Sequence, residues 1–172
     1  ENMKLNLTLA KLASIVGGTL QAEHEQEKIN NFVTDSRVIS QGDAFWALKG
    51  ATHDGHKFIE DVIAKGAKII IAEKGRCQNS RSDIAVIEVE NTLHALQALA
   101  KYHRQNSTLK IAAITGSNGK STTKQMLKSI CQQAGETVAN MGNFNNQFGV
   151  PFSLLEIQEK HKYGVFELGA SH

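Results

Sequence analysis

The stretch Lys110-Ile111-Ala112-Ala113-Ile114-Thr115-Gly116-Ser117-Asn118-Gly119-Lys120-Ser121-Thr122 decides how this sequence folds. Its first half is apolar and β-branched, which predicts a strand over 110–115. Two glycines then let the backbone curl so that its N–H groups converge on anionic oxygens. A helix predicted over 120–134 begins at once, and its N-terminal partial positive charge adds to the site. A lysine at the start of a helix is electrostatically disfavoured unless an anion answers it. Lys120 can reach the β- and γ-phosphates of ATP, and the Ser121 hydroxyl is placed to coordinate Mg²⁺. Gly116, Ser117, Asn118, Gly119, Lys120, Ser121 and Thr122 are thus the candidate nucleotide residues. The generic phosphate loop opens on a glycine where this sequence has Ile114.

Working outward, the chain alternates short apolar runs with amphipathic ones. Downstream lie a short strand near Val138, an Asn-rich loop at 140–150, a helix opened by Pro151 and a strand over 163–168. Upstream, Leu9, Leu12, Ala13 and Val16 repeat at helical spacing between a Thr8 cap and Gly17-Gly18. Strands are predicted over 29–33, 44–48, 68–72 and 84–89. One helix carries Phe58, Val62 and Ile63 and ends at Gly66, and another starts near Asn91 or Thr92. This rhythm implies an α/β fold with parallel sheets. The polar segment 105–108 is the best boundary, dividing the chain into domains 1–108 and 109–172.

Composition narrows the function classes. The 19 basic and 17 acidic residues are interspersed and leave a net charge of +2, so no footprint for nucleic acid stands out. No apolar run approaches the roughly 20 residues of a membrane span, and residues 1–7 lack the pattern of a signal peptide. A cytoplasmic, monomeric protein without membrane insertion is the expectation. Cys77 and Cys131 lack metal-ligand spacing and read as reduced thiols.

The compact loop Thr115-Gly116-Ser117-Asn118-Gly119-Lys120-Ser121-Thr122 resembles that of the Mur ligase and folylpolyglutamate synthase superfamily. A second block, Thr34-Asp35-Ser36-Arg37 with Gly42 to Gly50 and Asp54 to Ile59, resembles the N-terminal domain of Mur ligases that extend the peptidoglycan stem peptide. The resemblance implies a small N-terminal α/β substrate domain followed by the truncated start of a P-loop parallel-sheet ATPase domain. It also implies that Ser36, Arg37, Lys49, Gly50, Asp54 and His56 hold the uridine diphosphate end of the substrate. Read alone, Asp35 and Arg37 are equally a local pair across a turn, and His56 a satisfied helix-start histidine.

The third block, Met141 to Pro151, resembles the branch of the family that attaches D-alanyl-D-alanine to UDP-N-acetylmuramoyl tripeptide. Asn143, Asn145 and Asn146 are its candidate substrate residues, although the same residues alone would read as a turn-rich loop. The closing run Gly164-Val165-Phe166-Glu167-Leu168-Gly169 puts a carboxylate at the C-terminal end of a predicted parallel strand. By resemblance Glu167 helps hold the metal, and His172 is a weaker candidate. The implied reaction phosphorylates the tripeptide carboxylate with ATP, and the dipeptide amine attacks the acyl phosphate. Lys120 and Glu167 would be catalytic, with Ser121 and Glu167 as metal ligands. A diamino-acid-adding relative and a non-catalytic nucleotide-binding module remain open alternatives.

Overall fold

The computed structural model describes residues 5–78, 81–142 and 146–169. Two compact units emerge, Glu1–Leu99 and Ala100–His172. The first unit begins with β1 (Leu7–Thr8), α1 (Leu9–Val16), β2 (Lys28–Ile29), β3 (Ala44–Trp46) and α2 (Ile59–Ala64). It continues through β4 (Ile69–Glu73) and β5 (Ala85–Val89) into α3 (Thr92–Gln105), which runs past the division. The sequence suggests a linker at 105–108, whereas packing divides the chain earlier. The last turn of α3 belongs with the second unit because His103 Nε2 bonds the Ile157 carbonyl at 2.7 Å.

Local chemistry explains the first elements. Thr8 Oγ1 accepts the Lys11 N–H at 3.2 Å and so caps α1, and Gly17 ends it in the left-handed region at φ 66°. The strands β3, β4 and β5 form a parallel sheet in that order, with Ala44 opposite Ile69 and Ile69 opposite Ala85. Successive side chains alternate between its faces. Phe45, Ile70, Ala72 and Val86 pack with Ile59, Val62 and Ile63 of α2. On the other side, the Trp46 indole N–H donates to the Thr92 carbonyl at 2.9 Å, tying the sheet to α3.

Two expectations need correction here, and one strand was not expected. The predicted strand over 29–33 shrinks to β2, which pairs antiparallel with β1, and to a single parallel bridge between Val33 and Phe45. No alternation marks Leu7–Thr8 as a strand, so β1 is legible only from its partner. Phe58 is 39% exposed, because residues 55–58 form a 3₁₀ turn that rotates it out and leaves Ile59 to fill the core.

The second unit holds β6 (Lys110–Ile114), α4 (Lys120–Ala134), β7 (Thr137–Ala139), α5 (Gly149–Leu155) and β8 (Tyr163–Glu167). Its strands run parallel in the order β6-β8-β7, so the last strand lies in the centre. Close packing beneath β8 demands glycine at 164, where a Cβ would fall 2.7 Å from Phe166 Cε2 and 3.1 Å from Ile111 Cγ1. Leu109, Val138, Ile157 and Phe166 form the core on this side. Helix α5 starts at Gly149, before Pro151. The Asn146 Oδ1 accepts N–H groups from Phe148 and Gly149 at 3.1 and 2.7 Å, and a proline is tolerated in the first turn that follows. The C-terminal ends of the strands deliver the glycine loop, Asn140 and Glu167 to one edge, where open α/β sheets bind ligands.

Candidate functional site

The glycine loop leaves β6 and folds into the start of α4 through Gly119, whose φ of 76° and ψ of 3° lie in the left-handed region. Glycine there supplies no side-chain cap, so the first N–H groups of α4 are left for another acceptor. Gly116 is also at positive φ, 143°. Lys120 Nζ bends back and donates to the Gly116 carbonyl at 2.7 Å. Across from it, the Ser121 hydroxyl donates to Glu167 Oε2 at 2.8 Å. Residues 117–122 and Glu167 line a cleft of about 340 Å³. The structure therefore brings together the predicted phosphate residues and the predicted carboxylate, which lie far apart in sequence.

Two residues of this site escape sequence reasoning. Lys124 is 1% exposed, and its ammonium donates to the carbonyls of Asn140 and Gly142, each at 2.9 Å. The same nitrogen lies 3.4 Å from Glu167 Oε2, so a buried ion pair underlies the cleft. Asn140 is 2% exposed and pairs its amide with the backbone of Glu167 in both directions, each bond 2.9 Å. The spacing places Lys124 three residues after Ser121 on one helix face and Asn140 just after a strand end, but neither position marks a buried side chain.

The donor set suits Mg²⁺. That ion commonly takes one or two protein ligands and fills its octahedron with substrate phosphates and water. Ser121 and Glu167 supply two oxygens on the wall of the cleft. Among the described residues there is no group of three or more His, Cys, Asp or Glu that could cage a metal alone. Asn143, Asn145 and His172 lie outside the described residues. Asn146 is exposed and organises the entry to α5 through its side-chain carbonyl.

In the first unit, Lys49 bridges to Asp54, and the Gly50 N–H donates to the His53 carbonyl at 2.8 Å, forming a tight turn. Gly55 returns against Leu48, its N–H donating to the Leu48 carbonyl at 2.8 Å. His56 is buried, and its Nε2 accepts the Glu73 N–H at 3.0 Å. Its proton is therefore on Nδ1, aimed at Asp54 Oδ1 2.7 Å away. Arg76 donates to the other oxygen of Asp54 at 2.7 Å. Burial opposes the charge on Asp54, but the hydrogen bonds from Arg76 and then His56 outweigh it and hold the carboxyl well below its usual range. Lys49, Gly50, Asp54 and His56 are thus one structural group.

Ser36 and Arg37 occupy a different turn. The Ser36 carbonyl accepts from Lys65 Nζ at 3.1 Å. Arg37 grips Asp35 with its guanidinium, at 2.7 and 2.9 Å, and with its own N–H at 2.9 Å. The side-chain bonds from Arg37 pull the Asp35 carboxyl down to about 2. The local pair that sequence reasoning weighed is therefore present, with the Arg37 side chain 86% exposed.

Comparison with known proteins gives a consistent result. Residues 28–104 match the Mur ligase family, catalytic domain, and residues 114–172 match the Mur ligase middle domain. The UDP-N-acetylmuramoyl-tripeptide-D-alanyl-D-alanine ligase of Buchnera aphidicola is 41% identical over 167 residues, which is 97% of this chain and 35% of that protein. Among solved structures, MurF from Acinetobacter baumannii aligns with a TM-score of 0.86 at 40% identity, over 98% of this chain and 37% of its own. MurF ligase from Thermotoga maritima in complex with ADP aligns with a TM-score of 0.69 at 33% identity, over 79% of this chain and 31% of its own. The chain thus spans about a third of the length of these relatives.

Proposed function

Because the chain belongs to the Mur ligase family, we propose that it forms the N-terminal region of an ATP-dependent ligase that joins D-alanyl-D-alanine to UDP-N-acetylmuramoyl tripeptide. The observation that carries this reading is the pairing of the phosphate loop with Glu167 through Ser121, at 2.8 Å. That a similar structure was solved in complex with ADP supports nucleotide binding. ATP phosphates would rest on the N–H groups of 116–122 and on Lys120, released from its bond to Gly116. Ser121 and Glu167 would hold Mg²⁺, which when bound neutralises charge on the phosphates.

A carboxylate is a poor electrophile, so its activation by the γ-phosphoryl group is the natural role for this site. The amine then attacks the acyl phosphate, inorganic phosphate leaves, and an amide remains. Lys120 and the helix N-terminus would stabilise the charge on the transferring group mainly by position and electrostatics. Residues 1–108 would hold the uridine diphosphate end of the acceptor, through Ser36, Arg37, Lys49, Gly50 and the turn built by Asp54 and His56. Asn143, Asn145 and Asn146 would bridge toward the acceptor peptide. Exposed, flexible partners such as Arg37 are free to re-pair with a diphosphate, whereas His56 acts by shaping its turn.

The test is substrate-dependent ATP turnover by the intact protein. ADP should be released only when both UDP-N-acetylmuramoyl tripeptide and D-alanyl-D-alanine are present, and Lys120→Ala should lower that rate by about a hundredfold or more. Turnover supported by a diamino acid in place of the dipeptide would move the protein to a neighbouring branch of the family. ATP hydrolysis indifferent to both substrates would defeat the ligase reading.

A further inference from the structure

We propose that Lys124 and Asn140 are positioning residues that preset Glu167 and the 140–142 turn for a divalent cation bound with nucleotide; the inference rests on the Mg-ATP reading above. Neither residue lines the cleft, so their effect on it would be indirect, through Glu167 and the turn after β7.

Glu167 is held from three directions. Ser121 donates to its Oε2 at 2.8 Å from the start of α4. Lys124, next along the same helix face, stands 3.4 Å from that oxygen. Asn140 fixes the backbone, donating to the Glu167 carbonyl and accepting its N–H, so that its side chain extends the β8 ladder by one artificial rung. The remaining bonds of Lys124, to Asn140 and Gly142, attach the turn after β7 to the helix that carries the phosphate loop. The ammonium thus makes two hydrogen bonds to backbone carbonyls and one ion pair to Glu167.

Stability alone does not account for this arrangement. Taking an ammonium and a carboxylate out of water is costly, and a well-packed apolar pair of similar volume is often as stable or more so. What the ion pair adds is direction. A preset carboxylate needs no reorganisation when a cation arrives, which is the condition under which electrostatic stabilisation is largest. One opposing effect has to be weighed: Lys124 also repels a cation. If repulsion dominated, removing the lysine would strengthen cation binding. If positioning dominates, removal weakens it, and removal of the uncharged Asn140 weakens it in the same way.

The experiment measures ATP binding to the intact protein by calorimetry, with Mg²⁺ and in EDTA, for the wild type, Lys124→Met and Asn140→Ala. The expected result is a loss of about tenfold or more in affinity with Mg²⁺ for both variants, against a change of less than about twofold in EDTA. Equal losses in both conditions would show a merely structural role and overturn the proposal, as would unchanged or tighter Mg²⁺-dependent binding in Lys124→Met. Should Lys124→Met fail to fold, Asn140→Ala alone decides, since it leaves the ion pair in place. A wild type that binds no ATP with Mg²⁺ would instead defeat the nucleotide reading and this inference with it.

Discussion

Asp54 carries several hydrogen bonds for a surface-turn carboxylate, and its environment makes a prediction about pH. Arg76 and His56 stabilise its charged form, so the folded protein binds that proton less tightly than the unfolded chain does. Its stabilising contribution is therefore fully present above the unfolded value of about 4, and is lost as pH falls through the lower folded value. Asp54→Asn keeps an acceptor for His56 but loses the charge that faces Arg76. We expect it to lower stability by about 1 kcal/mol at pH 7, a modest figure because the Arg76 side chain is 41% exposed and screened by water. The deficit should close as the wild type is acidified below about pH 4. Urea titrations across pH 3 to pH 7 check this, and a deficit that stays constant with pH would refute the assignment to charge.

At the scale of elements, the turn joining β3 to α2 depends on a close approach that only glycine permits. A Cβ on Gly55 would lie 3.0 Å from Leu48 N, 3.1 Å from Leu48 O and 3.2 Å from Ala47 Cα. All three are backbone atoms that no rotamer change can move. Gly55→Ala gains up to about 1 kcal/mol in helix propensity, but the overlap costs about 1–3 kcal/mol. The overlap wins, and thermal denaturation should show a lowered midpoint; an unchanged one would mean that the turn yields. The same turn marks how far sequence carried the argument. Helix α4 was legible end to end, because the glycine loop fixed its start and periodicity its course. The parallel strands were legible because Ile69–Ile71 and Ala85–Val89 are apolar and β-branched. The 3₁₀ turn at 55–58 was not, since its spacing mimics a helix and lent Phe58 the place of Ile59. Nor was the role of Lys124, because a lysine on a helix reads as solvated until the Asn140 turn is known to close over it.

At the scale of the whole molecule, each unit has its own parallel sheet and its own group of candidate ligand residues. The proposed substrates should accordingly leave separable signatures. A ligand that binds only the folded form stabilises it by RT ln(1 + [L]/Kd), about 2.7 kcal/mol at a hundredfold excess over Kd. That free energy appears as slowed amide exchange where the ligand binds. A UDP-sugar should protect 34–37 and 48–56, whose N–H groups at Arg37, Gly50 and Gly55 are already ordered by short turns. Mg-ATP should protect the start of α4, where residues 120–122 have no side-chain cap and the glycine N-cap offers them none. Protection in the glycine loop should come from Mg-ATP and not from the UDP-sugar, because the N-terminus of α4 supplies the anion site there. Exchange measured by mass spectrometry on the intact protein distinguishes these outcomes. A UDP-sugar that protected 116–122 and left 34–56 unchanged would mean that the glycine loop holds the diphosphate of the sugar nucleotide, and the division of labour between the two units would have to be abandoned.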